Sequence, residues 1–236
     1  MTTYKSLIYL VLDELKLFSD DASYTEDHIL YLIDKYRSFL LKQRYSDIKK
    51  QMPESNYQTI KIDLVDSPLL PGDCSLTDYY KKSTKQIPNL LQIGNPKVFT
   101  NSYFRGDISY ISRERMRFVG YNKFLTNTIY ASIGPDNLLY LKYFKTDHST
   151  ITSVYVTGIF QNSVVASDLS EAVINNPLLC DVLDRILPLE EALIPPLTEL
   201  IVKELSGVLY KPKDNVNNDK DDISDMMVKN TTNNGK

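Results

Sequence analysis

The sequence predicts an α+β fold in which an N-terminal helical hairpin and a C-terminal helix form a helical layer, with an antiparallel β-meander inserted between them. Three observations carry this. Stretches near both ends repeat apolar residues at helical spacing, the middle alternates or runs in short apolar segments at even intervals, and the links in that middle suit antiparallel neighbours. The boundaries that follow are 1–52 and 177–211 for the helical bundle, 53–176 for the antiparallel β region and 212–236 for a flexible C-terminal tail.

In the first helix Ile8, Val11, Leu12, Leu15 and Phe18 recur three and four residues apart and make one apolar stripe. Ser19 to Ser23 supply turn chemistry, because short polar side chains bond to nearby backbone amides and compete with helix continuation. Ser23 with Glu26 can form a capping box and Thr25 is a competing N-cap; either puts Glu26 and Asp27 in the first turn of a second helix, where carboxylates oppose the helix dipole. That helix has Ile29, Leu32, Ile33, Tyr36, Phe39 and Leu40 as its apolar set and Asp34, Lys35, Arg37 and Lys42 on the other side. So short a connection implies antiparallel packing. The plain reading of the hairpin is a core element. A functional reading adds that its outer edge of Tyr4, Tyr9, Tyr24 and Tyr31 meets a neighbouring subunit, since Tyr is favoured in interface cores.

Pro53 ends the helical region, and Tyr57 to Val65 alternates, with Ile60, Ile62 and Leu64 on one face. Leu76 to Ile93 reads as short strands and loop, because Pro88 bars a helix through it. Further strands are expected at Phe104–Ile111, Thr126–Ile133, Leu138–Phe144 and Ile151–Ile159, with Gly134-Pro135-Asp136-Asn137 as a type I turn. Between the first two of these, Ser112 to Lys123 is expected to make one or two helical turns. Asp168 to Asn176 suits a short helix stopped by Pro177. The last helix starts afresh with Pro195 or Pro196 in its first turn, where proline is tolerated, and Gly207 suits its C-cap. Beyond Tyr210, Asn, Asp and Lys dominate, and such a tail orders only against a partner.

The chain of 236 residues, 42% of them hydrophobic, suits one domain or one domain with a small appendage. A net charge of −3 argues against wholesale nucleic-acid binding, although local basic patches remain. Met1 to Tyr9 carries no signal-peptide pattern, and apolar runs such as Leu138 to Phe144 fall short of the ~20 residues that span a bilayer, so the reading is a soluble chain with no membrane partner. Cys74 and Cys180 have no metal-ligand spacing and read as reduced thiols. Tyrosine is abundant, 17 residues against eight Phe and no Trp, which suits half-buried sheet faces and wet interfaces.

Catalytic chemistry is hard to find. His28 and His148 lack partners at ligand or triad spacing, no phosphate-cradling glycine loop occurs, and the adjacent Glu190 and Glu191 point about 100° apart on a helix. No cofactor or metal is expected, and an enzyme such as a cell-wall hydrolase is disfavoured. The cluster Arg113, Arg115 and Arg117 reads as a solvated strand connection paired to Glu114, or as a contact with DNA passing nearby. A nucleic-acid-binding module would add Tyr110 and Tyr121 as stacking partners.

The segments SLIYLVLDELK (6–16), DHILYLIDKYRSFLLKQRY (27–45), SRERMRFVGYNKF (112–124), IYASIGPDNLLYLK (129–142) and PLEEALIPPLTELIVKEL (188–205) resemble the head-to-tail connector proteins, portal adaptor or neck ring, of crAss-like tailed bacteriophages. The resemblance implies a structural virion protein without enzymatic activity, assembled in the host bacterial cytoplasm. Identical subunits would form a twelvefold ring joining the portal protein to the tail or to further neck ring proteins, with DNA passing through the lumen without sequence specificity. With that role, the basic cluster Arg113, Arg115 and Arg117 is expected to face the lumen and its DNA, and Ile223, Met226, Met227 and Val228, an apolar patch in a polar tail, are expected to contact the portal. A different neck or tail-stopper ring is the alternative within the same resemblance.

Overall fold

The computed structural model describes residues 2–16, 24–47, 50–67, 79–100, 108–119, 123–125, 127–144, 149–176 and 179–208. Helix α1 is Tyr4–Lys16 and α2 is Glu26–Tyr45. Thr25 is the N-cap of α2: its hydroxyl accepts from the His28 amide at 3.4 Å, which settles one side of the capping choice, while Ser23 lies outside the described residues. Helix α6, Ile194–Val208, takes Pro195 and Pro196 in its first turn after a short 3-10 turn at Glu191–Leu193, the fresh start that two prolines impose. It runs through Gly207 instead of stopping there. It packs on both α1 and α2, and one apolar cluster joins Leu7, Val11, Ile29, Ile33, Leu197 and Ile201.

The expected β-meander is overturned. Seven strands, β1 Gln58–Ser67, β2 Tyr79–Ser83, β3 Lys97–Phe99, β4 Ile108–Tyr110, β5 Ile129–Ile133, β6 Leu139–Tyr143 and β7 Ser153–Gly158, close into a barrel in the order β1-β2-β6-β5-β4-β3-β7. Closure comes from the length of β1. Its residues 58–63 pair with β7 and its residues 64–67 pair with β2, so one strand bridges what would be two edges of an open sheet. A closed barrel leaves no unpaired row of amides and carbonyls. Pairing is also not purely antiparallel: β4 and β5 run parallel, joined by a crossover that contains helix α3, Arg113–Met116. The interior is filled by Ile60, Ile62, Ile129, Ala131, Leu139, Leu141, Val154 and Val156.

The β5–β6 connection is the expected turn with an addition. The Asn137 amide donates to the Gly134 carbonyl at 3.0 Å around Pro135 and Asp136, and Asn137 then takes φ 58°, the left-handed region that Asn tolerates. A side chain at Gly134 would collide with Asp136, Arg113 and Tyr140. The short helix expected at Asp168 to Asn176 is α5, Glu171–Asn175, and an unexpected α4, Ser163–Asp168, precedes it, with Asn162 capping α4 by accepting from the Val165 amide at 2.9 Å.

Candidate functional site

Helices and barrel meet at a polar seam on α2. Arg37, expected on the solvated side, is fully buried and donates through Nε to the Pro188 carbonyl and through Nη1 to the Phe160 carbonyl, both at 2.9 Å. It lies on the row Ile33, Arg37, Leu41, the i, i+4, i+8 line of the apolar face, so helix geometry carries it inward whatever its charge. Asp34 accepts from the hydroxyl of Ser163 and from its amide at 3.3 Å. That hydroxyl also meets the Tyr4 hydroxyl at 2.6 Å, and Ser38 donates to the Gln161 carbonyl at 3.0 Å. Burial pushes the Asp34 carboxyl up, against the Ser163 hydrogen bond and the Arg37 charge; it pushes the Arg37 guanidinium down and the Tyr4 hydroxyl up. Phe160, Gln161 and Ser163 leave the barrel just after β7, so these bonds fix how the helices sit on it. Tyr4, expected on an outer edge, is therefore inside the subunit with no surface to offer a neighbour.

The other three tyrosines of that edge divide. Tyr24 is half-buried and donates to the Leu205 carbonyl at 3.0 Å, tying the start of α2 to the end of α6. Tyr9 and Tyr31 are 50% and 66% exposed. Phe39, placed by its chemistry in the apolar set, is exposed on the flank of α2.

A second construction lies on the outer wall of the barrel, where α3 covers β5 and β6. Met116 is buried against Tyr80 and Tyr140. Lys142, also buried, donates to the Met116 carbonyl at 3.2 Å and sits 5.5 Å from the ring centres of Tyr80 and Phe144. Arg113 stacks 4.9 Å over the Tyr140 ring, whose hydroxyl donates to Asp136 at 2.5 Å. Arg113 thus belongs to the wall and leaves the expected trio. Arg115 and Arg117 face solvent, with no ion pair or side-chain hydrogen bond among the described residues. Phe118, directly after Arg117, and Phe124, in the 3-10 turn Lys123–Leu125, are 79% and 85% exposed. In the sequence neither Phe carries a signal beyond the place of Phe118 directly after Arg117. Tyr110 is half-buried against the barrel cluster and burial pushes its hydroxyl up; Tyr121 lies outside the described residues. The stacking platform of a nucleic-acid module is therefore not assembled from Tyr110.

A third feature is an open cleft of about 620 Å³ between α1 and α6, lined by the apolar Leu10, Ile194, Pro195 and Val202 and by the charged Glu14, Glu199 and Lys203. Ile223, Met226, Met227 and Val228 lie outside the described residues, as do His148 and Cys74; His28 and Cys180 are exposed. Among the described residues no three His, Cys, Asp or Glu side chains gather to hold a metal, and no helix is long and apolar enough to cross a membrane.

The architecture is thus an internally latched helix-and-barrel unit that leaves large apolar groups exposed, Tyr31, Phe118, Phe124 and Ile174 among them. Residues 6–223 match the family described as phage tail ring protein 2. The chain is 50% identical over 223 residues to "Ring protein 2" of Bacteroides phage crAss001, covering 94% of this chain and 99% of that protein. The chain belongs to this family of crAss-like phage ring proteins and is a structural component of the virion, not an enzyme.

Proposed function

We propose that the protein forms one closed, twelvefold ring of the phage neck, joining the portal protein to the tail or to a further ring, with DNA passing through the lumen without sequence specificity. The observation that supports this best is the distribution of exposed apolar groups. Tyr9, Leu10, Tyr31 and Phe39 lie on the helical layer, and Phe118 and Phe124 lie in the crossover between β4 and β5. A ring subunit needs two different complementary flanks, because a heterologous contact closes by rotation, and aromatic groups left in water on two parts of one chain suit such contacts. Contact with the portal is assigned to the C-terminal segment that includes Ile223, Met226, Met227 and Val228, on their apolar character within a polar stretch.

Electron microscopy of the purified full chain, alone and mixed with portal protein, tests the reading. Twelvefold rings that dock on the portal are expected, and deletion of residues 212–236 is expected to abolish docking while leaving rings intact. A chain that stays monomeric in both samples overturns the reading. Rings that ignore the portal and bind only tail proteins would move this ring to a lower position in the neck.

A further inference from the structure

We propose that adjacent subunits join by a knob-in-cleft contact, in which the Arg115, Arg117 and Phe118 surface of one copy seats in the α1/α6 cleft of the next. The proposal rests on the ring reading and specifies its interface. Both parts are exposed on the subunit: Phe118, directly after α3, is 79% exposed, and Leu10, 44% exposed, lines a cleft whose roughly 620 Å³ accepts an aromatic side chain.

Charge matches the two parts. Glu190, Glu204 and Asp34, elsewhere on the helical layer, are committed within the subunit: Glu190 to Arg44 and Tyr45, Glu204 to Lys35 and Tyr36, Asp34 to Ser163. Glu14 and Glu199, in the cleft lining, have no ion pair among the described residues, as Arg115 and Arg117 have none on the knob. Lys203 is the one ammonium in that lining, so two carboxylates outweigh it and two guanidinium groups meet a net negative cleft. Arg beside aromatic rings is the composition of interface anchors, and opposite fields across such a contact fix its register.

Topology separates the two parts. In the closed strand order, the β6–β5 wall under α3 lies across the barrel from the β7–β1 wall, where α4 packs and where Phe160 and Ser163 tie to α2 and α1. A knob on one wall and a cleft in the layer attached to the other produce a head-to-tail contact. Repeated with rotation, that contact closes a ring.

The test is charge reversal and repair in the full chain, read by native mass spectrometry and electron microscopy. Arg115→Glu with Arg117→Glu, and separately Glu14→Lys with Glu199→Lys, are each expected to lower the ring population at least about tenfold at concentrations where the wild type is assembled. An unchanged circular dichroism spectrum and melting midpoint would show that each variant still folds. The fourfold variant, with charges exchanged, is expected to form rings again. If wild-type rings form and the arginine reversal leaves them intact, the contact is overturned while the ring reading stands. Intact rings that lose salt-sensitive DNA association would overturn it too, by showing that the arginines face the lumen. Failure of the fourfold variant to recover, with both double variants folded, also rejects this pairing. A wild type that forms no rings removes the ring reading and the contact together.

Discussion

Arg37 and the pair Arg115 and Arg117 carry the same side chain into opposite situations. Arg37 is fully buried at the seam, spanning the Phe160 and Pro188 carbonyls beside Asp34, whereas Arg115 and Arg117 stand in water on the barrel wall without a side-chain partner among the described residues. The difference teaches what each charge is for. A buried guanidinium persists only where hydrogen bonds offset its desolvation, so Arg37 serves the fold. An exposed one adds little to folding and is free to recognise something outside the chain. The seam also explains why a buried polar network suits a ring component: two carbonyls and a carboxylate fix the orientation of helical layer to barrel more narrowly than an apolar interface would.

The largest expected break in this comparison is Arg37→Ala. It strands two carbonyl groups, removes the cation beside Asp34 and opens a void, with an expected loss of about 3–5 kcal/mol in chemical denaturation. A loss below about 0.5 kcal/mol, the range of ordinary surface substitutions, would mean that the seam does not hold the two parts together. Tyr4→Phe should follow with about 1 kcal/mol, because it deletes one buried hydroxyl while Ser163 keeps its bond to Asp34. A value as large as that of Arg37→Ala would shift the weight of the seam from the guanidinium to the hydroxyl chain.

How much was legible follows the range of the interactions. Local signals were readable: the stripes of α1 and α6, the Thr25 option at the start of α2, the paired prolines opening α6 and the Gly134 turn all act within a few residues. Barrel closure was not, because it depends on β1 pairing with β7 some ninety residues later, and on β2 and β3, which are too short to show alternation. Arg37 was misread for a different reason: its charge was weighed above its position, although spacing alone sets it between Ile33 and Leu41. Phe39 is the converse error, an apolar residue assigned inward by chemistry where the helix turns it outward. Among the arginines of α3, the sequence marked the cluster but could not separate Arg113 from its neighbours. That separation needs Tyr140, which another strand brings beneath it.

The smallest expected effect concerns the clamp between α2 and α6, and its sign distinguishes it from the seam. Lys35 first, and then Tyr36, hold the Glu204 carboxyl below its usual 4.5 through hydrogen bonds. A carboxyl with a depressed folded pKa contributes stability that is present above its unfolded value and is lost as pH falls through the folded one. Asp34 runs the other way: burial raises it, so its contribution is present at low pH and fades as pH rises through its folded value. Glu204→Gln should therefore lower stability slightly at neutral pH, with the gap to wild type closing on acidification below about pH 4.5 as the Lys35 pair is protonated apart. Melting midpoints of both proteins from pH 3 to 7 would show the convergence. A gap that widens towards acid would mean the carboxyl at 204 is raised, placing it with Asp34 as a group the fold prefers neutral and removing the electrostatic contrast between clamp and seam.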